Sequence, residues 1–149
     1  MHLGKFGLNN MSAELLQSYQ GKEVFLTGHT GFKGAWLMTW LRHLGAIVKG
    51  YSLPPDTDAL YLHLNPQQKD ESVFADIRQA DTLASELNSF QPDIIFHLAA
   101  QPLVRASYEI PTDTFDINVS GTSNLLNAVR LYGKPCRIVV ITTDKAYVS

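Results

Sequence analysis

Apolar runs and helical patterns alternate along most of this 149-residue chain. Glu23–Thr27 (EVFLT) is a short apolar run closed by a glycine turn, the pattern of a buried parallel strand. Phe32–Leu44 then sets Trp36, Leu37, Trp40, Leu41 and Leu44 at helical spacing, with Gly45 as the stop. Ala46–Tyr51 reads as a second strand, and Leu53–Gln68, with three prolines, as a loop or a poorly ordered crossover. Ser72–Ala75 is a third strand, and Asp81 is placed to cap a helix running to Phe90. Asp93–Leu98 (DIIFHL) is a fourth strand. Pro111–Leu131 reads as one long helix ended by Gly133, and Arg137–Thr142 (RIVVIT) as the fifth strand.

This order predicts an α/β fold: a doubly wound parallel sheet with helices on both faces and strand order 3-2-1-4-5. Sheets of that kind take ligands at the carboxyl ends of their strands, where the order reverses. The residues that follow strands one, four and five therefore carry the functional information.

Composition narrows the classes. The chain is 45% hydrophobic and 17% charged, with a net charge of -2, which fits one globular domain and gives no field to recruit nucleic acid or an anionic membrane. The single cysteine, Cys136, excludes an internal disulfide framework and a cysteine zinc site. No apolar run reaches the roughly 18 residues of a membrane span. No secretory leader is expected, and the chain reads as cytoplasmic. Residues 1–20 are expected to form an N-terminal extension, with Met11 a second plausible start, and residues 21–149 the nucleotide-binding domain.

After the first strand comes Thr27-Gly28-His29-Thr30-Gly31-Phe32-Lys33-Gly34. Its GxxGxxG spacing is one residue longer than the GxGxxG dinucleotide fingerprint, but the physics is shared. Gly28 permits a tight turn, Gly31 lets backbone approach a pyrophosphate, and Gly34 lets helix and strand pack closely. The helix that starts at Phe32 offers free N–H groups and a positive dipole end to phosphate. His29 is expected to crowd the pyrophosphate. The acidic residue that usually follows about 20 positions on, to hold the ribose of NAD, is missing. Strand two ends Lys49-Gly50-Tyr51-Ser52, and Asp56 and Asp58 are poorly placed substitutes, so this stretch leaves NAD and NADP both open.

Taken with this loop, Asp76-Ile77, His97-Leu98-Ala99-Ala100-Gln101, Asn118-Val119-Ser120-Gly121-Thr122 and Thr142-Thr143-Asp144-Lys145 resemble the extended short-chain dehydrogenase/reductases, in order, over about residues 21–147. Within them, GHTGFKGAWL, GYSLPP, FHLAAQPLVRASYE and the Asp-Lys of TTDKAY are similar to the CDP-glucose 4,6-dehydratase family. The resemblance implies a Rossmann-like domain holding NAD, a nucleotide-sugar substrate, and a homo-oligomer when full length. It assigns the cofactor to Gly28, His29, Thr30, Gly31, Phe32, Gly34, Asp76, Ile77, Leu98, Ala99, Ala100, Gln101 and Thr142. From the residues alone, His97 reads as a satisfied core histidine and Asn118 as a structural hydrogen-bonding residue.

The reaction implied by the resemblance is an internal redox cycle that turns CDP-glucose into CDP-4-keto-6-deoxyglucose, in deoxysugar biosynthesis of the O-antigen type. Thr143 would bond the sugar C4 oxygen and Asp144 would protonate the leaving C6 hydroxyl. Lys145 stands where the dTDP-glucose enzymes carry Glu as the C5 base. The family's Tyr-x-x-x-Lys pair is not in this sequence, so the chain is expected to lack the last strands and the sugar-binding domain, and to be inactive alone. Readings as a non-catalytic cofactor module, another dehydratase or a sugar epimerase stay open.

Overall fold

The computed structural model describes residues 14–64 and 72–142. Five parallel strands, β1 (Glu23–Thr27), β2 (Ile47–Ser52), β3 (Ser72–Phe74), β4 (Ile94–His97) and β5 (Arg137–Val140), form one sheet. Their order is β3-β2-β1-β4-β5, as the alternation of elements predicts. In register, Thr27 lies beside Tyr51 on β2 and His97 on β4, so three strands end together at one edge.

Helix α1 covers residues 14–19, α2 is Phe32–His43, α3 is Leu60–Leu64 and α4 is Ala80–Phe90. Beyond β4 come α5 (Val104–Glu109), α6 (Pro111–Phe115), a π-helical turn (Asp116–Ser120) and α7 (Gly121–Tyr132). Residues alternate across β1. Val24 and Leu26 join Ala35, Met38 and Leu41 of α2 and Tyr61 of α3 on one face. Phe25 joins Leu83 and Leu87 of α4 and Leu125 and Ala128 of α7 on the other. Burying each of those leucines contributes about 1.5–3 kcal/mol. A parallel sheet covered on both faces is why these strands are apolar nearly throughout.

The α2 face that meets the core is Ala35, Met38 and Leu41, while Trp36 and Trp40 are each 52% exposed. Three expectations are corrected. The stretch 53–68 contains α3, which buries Tyr61. Gln79, not Asp81, takes the N-cap of α4, and Asp81 lies in the first turn, where its charge suits the helix dipole. The long helix is broken: the Gly121 N–H reaches the Asp116 carbonyl five residues back, which makes the turn at Asn118 a π-bulge. Helix α5 occupies a stretch for which no element is expected. Gly133 ends α7 in the left-handed conformation, as expected.

β5 closes the sheet among the described residues, and Val139, Val140 and Ile141 are exposed along it. No helix among the described residues is long and apolar enough to cross a membrane.

Candidate functional site

Three chain segments meet at the carboxyl edge of the sheet: the loop after β1, the turn after β3 and the loop after β4. Gly28 opens the first with φ +75. A Cβ there would lie 2.7 Å from both the Ala99 nitrogen and the Leu98 carbonyl carbon, so this glycine lets the first and third segments touch. Its N–H is bonded to the Tyr51 carbonyl at 2.9 Å. A Cβ on Gly34 would overlap the Gly28 carbonyl, so Gly34 seats α2 against the turn. Gly31 is the N-cap of α2, and a Cβ on it would meet only the Gly28 carbonyl, at 3.4 Å. That open side lies next to the first amides of α2 at Phe32, Lys33 and Gly34, which have no partner within the helix, as a pyrophosphate needs. Phe32 itself is exposed.

His29 turns the other way. Its side chain is fully buried, edge-on to Tyr61 at 5.1 Å and stacked on Phe74 at 6.0 Å. A Cβ on Gly50 would come within 2.5 Å of the ring, so β2 carries glycine where the imidazole lies. The expectation that this ring crowds the pyrophosphate is therefore corrected: it faces the core, and only its backbone belongs to the loop. Neither ring nitrogen completes a hydrogen bond among the described residues. Burial pulls its pKa down to about 4, with the nearby Tyr51 backbone opposing weakly. Thr30, next in the loop, lies 2.6 Å from the Ser52 hydroxyl and donates to the Leu53 carbonyl at 3.1 Å.

At the turn after β3, Asp76 accepts from the Arg78 guanidinium at 2.7 and 3.1 Å and from the Arg78 backbone N–H at 2.9 Å. Those bonds hold its carboxyl below the usual range. Arg78 reaches on to Asp113 of α6 at 3.3 Å. Helix α7 grips the same turn. Asn124 donates to the carbonyls of Ile77 and Arg78, and Gly121 leaves room for Ile77, whose Cγ2 would be 2.5 Å from a Cβ. The Tyr51 hydroxyl donates to the Asp76 carbonyl at 3.1 Å. Arg78, Asp113, Asn124 and Tyr51 are not singled out by the sequence, because contacts between distant segments have no local signature.

Loop 98–101 is fastened from beneath. Thr122 donates to the Asn118 carbonyl at 2.7 Å, so it must accept from His97 Nε2–H at 2.9 Å. His97 Nδ1 is then the acceptor from Thr27, at 2.6 Å. Thr27 in turn accepts the N–H groups of Leu98 and Ala99, each at 3.2 Å. Every bond has a donor and an acceptor only if His97 is neutral with its proton on Nε2. Burial lowers its pKa, which suits that state. Asn118 completes the fastening: its Oδ1 accepts the Gln101 N–H at 2.8 Å and its Nδ2 donates to the Gln101 carbonyl at 3.1 Å. That double bond explains the π-bulge, which turns Asn118 toward the loop.

Ala100 and Thr142 are exposed at this edge, and the Ile141 N–H bonds the His97 carbonyl, which brings Thr142 next to the loop after β4. Thr143, Asp144 and Lys145 lie outside the described residues. Cys136 is partly buried, with its thiol pKa raised by burial, as suits a structural residue. No group that could hold a metal ion occurs among the described residues.

The family model described as GDP-mannose 4,6 dehydratase matches residues 25–148. The chain is 49% identical over 130 residues to CDP-glucose 4,6-dehydratase of Salmonella typhimurium, covering 87% of this chain and 36% of that protein. It is 34% identical over 128 residues to CDP-paratose 2-epimerase of Salmonella typhi, covering 84% and 38%. Among solved structures, an epimerase of Methanothermobacter thermautotrophicus superposes with a TM-score of 0.78 at 25% identity, over 93% of this chain and 40% of that one. UDP-glucose-4-epimerase of Stenotrophomonas maltophila, solved with bound NAD, gives a TM-score of 0.72 at 27% identity, over 83% and 38%. The chain thus spans less than half the length of each of these proteins.

Proposed function

We propose, from the premise that this chain belongs to the GDP-mannose 4,6-dehydratase family, that it is the NAD-holding part of a CDP-glucose 4,6-dehydratase. The observation that carries this reading is the 49% identity to such an enzyme across 87% of the chain. The site fits the cofactor. The open cradle at Gly31 and the first amides of α2 would hold the pyrophosphate. Asp76 and Ile77 would bracket the adenine, and Leu98–Gln101 with Thr142 would line the nicotinamide.

NAD held by these residues would supply reversible hydride transfer at the sugar. The chain's own residues orient and move protons. The Thr143 hydroxyl would bond the C4 oxygen, and Asp144 would give a proton to the departing C6 hydroxyl. Lys145 would take the C5 proton if its pKa is depressed, or stabilise the enolate as a cation. The lysine beside the aspartate, in place of glutamate, favours CDP-glucose over dTDP-glucose.

No tyrosine here is followed four residues later by a lysine. Residues 1–149 alone therefore bind cofactor without turnover in this reading. The whole protein would act in the cytoplasm, in deoxysugar biosynthesis of the O-antigen type. A homo-oligomer is supported by exposed apolar side chains on the helices after β4, with Tyr108 83% and Phe115 62% exposed.

The test is to give the protein from its native source NAD and, in turn, CDP-glucose, dTDP-glucose and GDP-mannose. Loss of one water from CDP-glucose, read by mass spectrometry, is the expected result. Loss of water only from another sugar nucleotide would reassign the substrate, and binding of NAD with no turnover of any would leave a cofactor module.

A further inference from the structure

The backbone and the ring of His29 serve different segments of the sheet edge. A Cβ on Gly34 would lie 2.7 Å from the His29 Cα, so this backbone is packed against the first turn of α2, beside the amides of Phe32, Lys33 and Gly34. The ring points to β3 instead. It stacks on Phe74 at 6.0 Å, with 19° between the planes, and stands edge-on to Tyr61 at 5.1 Å. Phe74 ends β3, two residues before Asp76, and the Ala75 N–H between them bonds the Ser52 carbonyl at 2.8 Å. Tyr61 is tied to the start of the same strand, its hydroxyl 2.7 Å from that of Ser72. One side chain thus joins the loop after β1 to the turn after β3.

Shape places this ring, not hydrogen bonding. Its nitrogens are buried and complete no hydrogen bond among the described residues, an arrangement that costs stability. What holds it is contact with two aromatic faces and the room that Gly50 leaves on β2. Burial and the charge of Arg42 on α2 both oppose an imidazolium and outweigh the Tyr51 backbone, so the ring stays neutral. Tyr61 and Phe74, which it meets from α3 and β3, add no charge.

From this arrangement we infer that His29 is a positioning residue for the dinucleotide: through Phe74 it sets the spacing between the amides that would take the pyrophosphate and the turn that would bracket the adenine. The inference rests on the cofactor reading above and adds the residue that keeps two parts of that site in register.

The experiment is calorimetric titration of the 149-residue chain with NAD, for the wild type, His29→Phe, His29→Ala, Phe74→Ala and the double alanine variant. Circular dichroism checks that each is folded at the assay temperature. His29→Ala and Phe74→Ala should each weaken NAD by about 3- to 10-fold, and the double variant by no more than the worse single one, because both cut the same link. His29→Phe keeps a flat ring and should bind within about twofold of the wild type. Folded alanine variants that bind NAD as the wild type does, single losses that multiply in the double variant, or a loss in His29→Phe as large as in His29→Ala would overturn the inference and leave the cofactor reading standing. Phe74 is 43% exposed, so Phe74→Ala decides the matter alone if His29→Ala does not fold: undiminished affinity would overturn the inference. Failure of the folded wild type to bind NAD would remove both.

Discussion

The His29 imidazole occupies the space that a side chain at Gly50 would need: a Cβ on Gly50 would sit 2.5–2.6 Å from three atoms of the ring. The second residue of the turn after β1 and a mid-strand residue of β2 are thus fitted to each other, with Tyr61 and Phe74 completing an aromatic cluster. Gly50→Ala should lower stability by about 1–3 kcal/mol through overpacking. Pairing it with His29→Ala should recover part of the loss, since the added methyl then has room. Urea denaturation of the single and double variants reads this coupling.

Burial of His29 also makes stability depend on pH. Its folded pKa is about 4 against an ordinary 6.5, so the unfolded chain binds the proton more readily. Stability is intact above pH 6.5 and falls as the pH drops toward 4, by an amount on the order of 3 kcal/mol from this group. His97, also lowered by burial, adds a loss of the same sign. His29→Leu should flatten the acid limb without abolishing it. An acid limb in the variant as steep as in the wild type would show that His29 does not carry the effect.

The bonding chain Thr27–His97–Thr122 specifies a tautomer. Nitrogen chemical shifts of the ring should show a neutral His97 protonated at Nε2. Thr27→Val should cost about 1–3 kcal/mol, because it removes the donor to Nδ1 and the acceptor of the Ala99 amide, while the Leu98 amide keeps the Thr27 backbone carbonyl at 3.1 Å. A ring protonated at Nδ1 would reverse every bond assigned to this chain.

Arg78 is exposed enough that its ion pairs contribute little to folding: Arg78→Gln should cost under about 1 kcal/mol. Its effect lies on Asp76, whose carboxyl pKa should rise once the guanidinium is gone, as followed by carbon shifts during an acid titration.

The exposed valines of β5 form an apolar sheet edge. Val139→Lys should reduce association of the 149-residue chain, measured by light scattering against concentration.

Much of this architecture is legible from periodicity. Glu23–Thr27 and the sheet order appear as expected because buried parallel strands leave continuous apolar runs between turn signals. Gly28, Gly31 and Gly34 are legible for a different reason, since each answers a local backbone need. The break at Asp116–Ser120 was hidden because it comes from Asn118 bonding Gln101, a contact 17 residues away. The spacing of Trp36 and Trp40 shows that residues share a face, not which face the core takes. His29 misled because its place in the loop says nothing of where its ring points, which Gly50 decides.

The most direct test of the account is amide chemical-shift mapping of the chain as NAD is added. The largest shifts should fall at Gly31–Gly34, Asp76–Ile77 and Leu98–Gln101, three segments far apart in sequence and joined at one sheet edge. Saturating NAD that shifts none of them, or shifts a surface elsewhere, would contradict the site and the cofactor reading together.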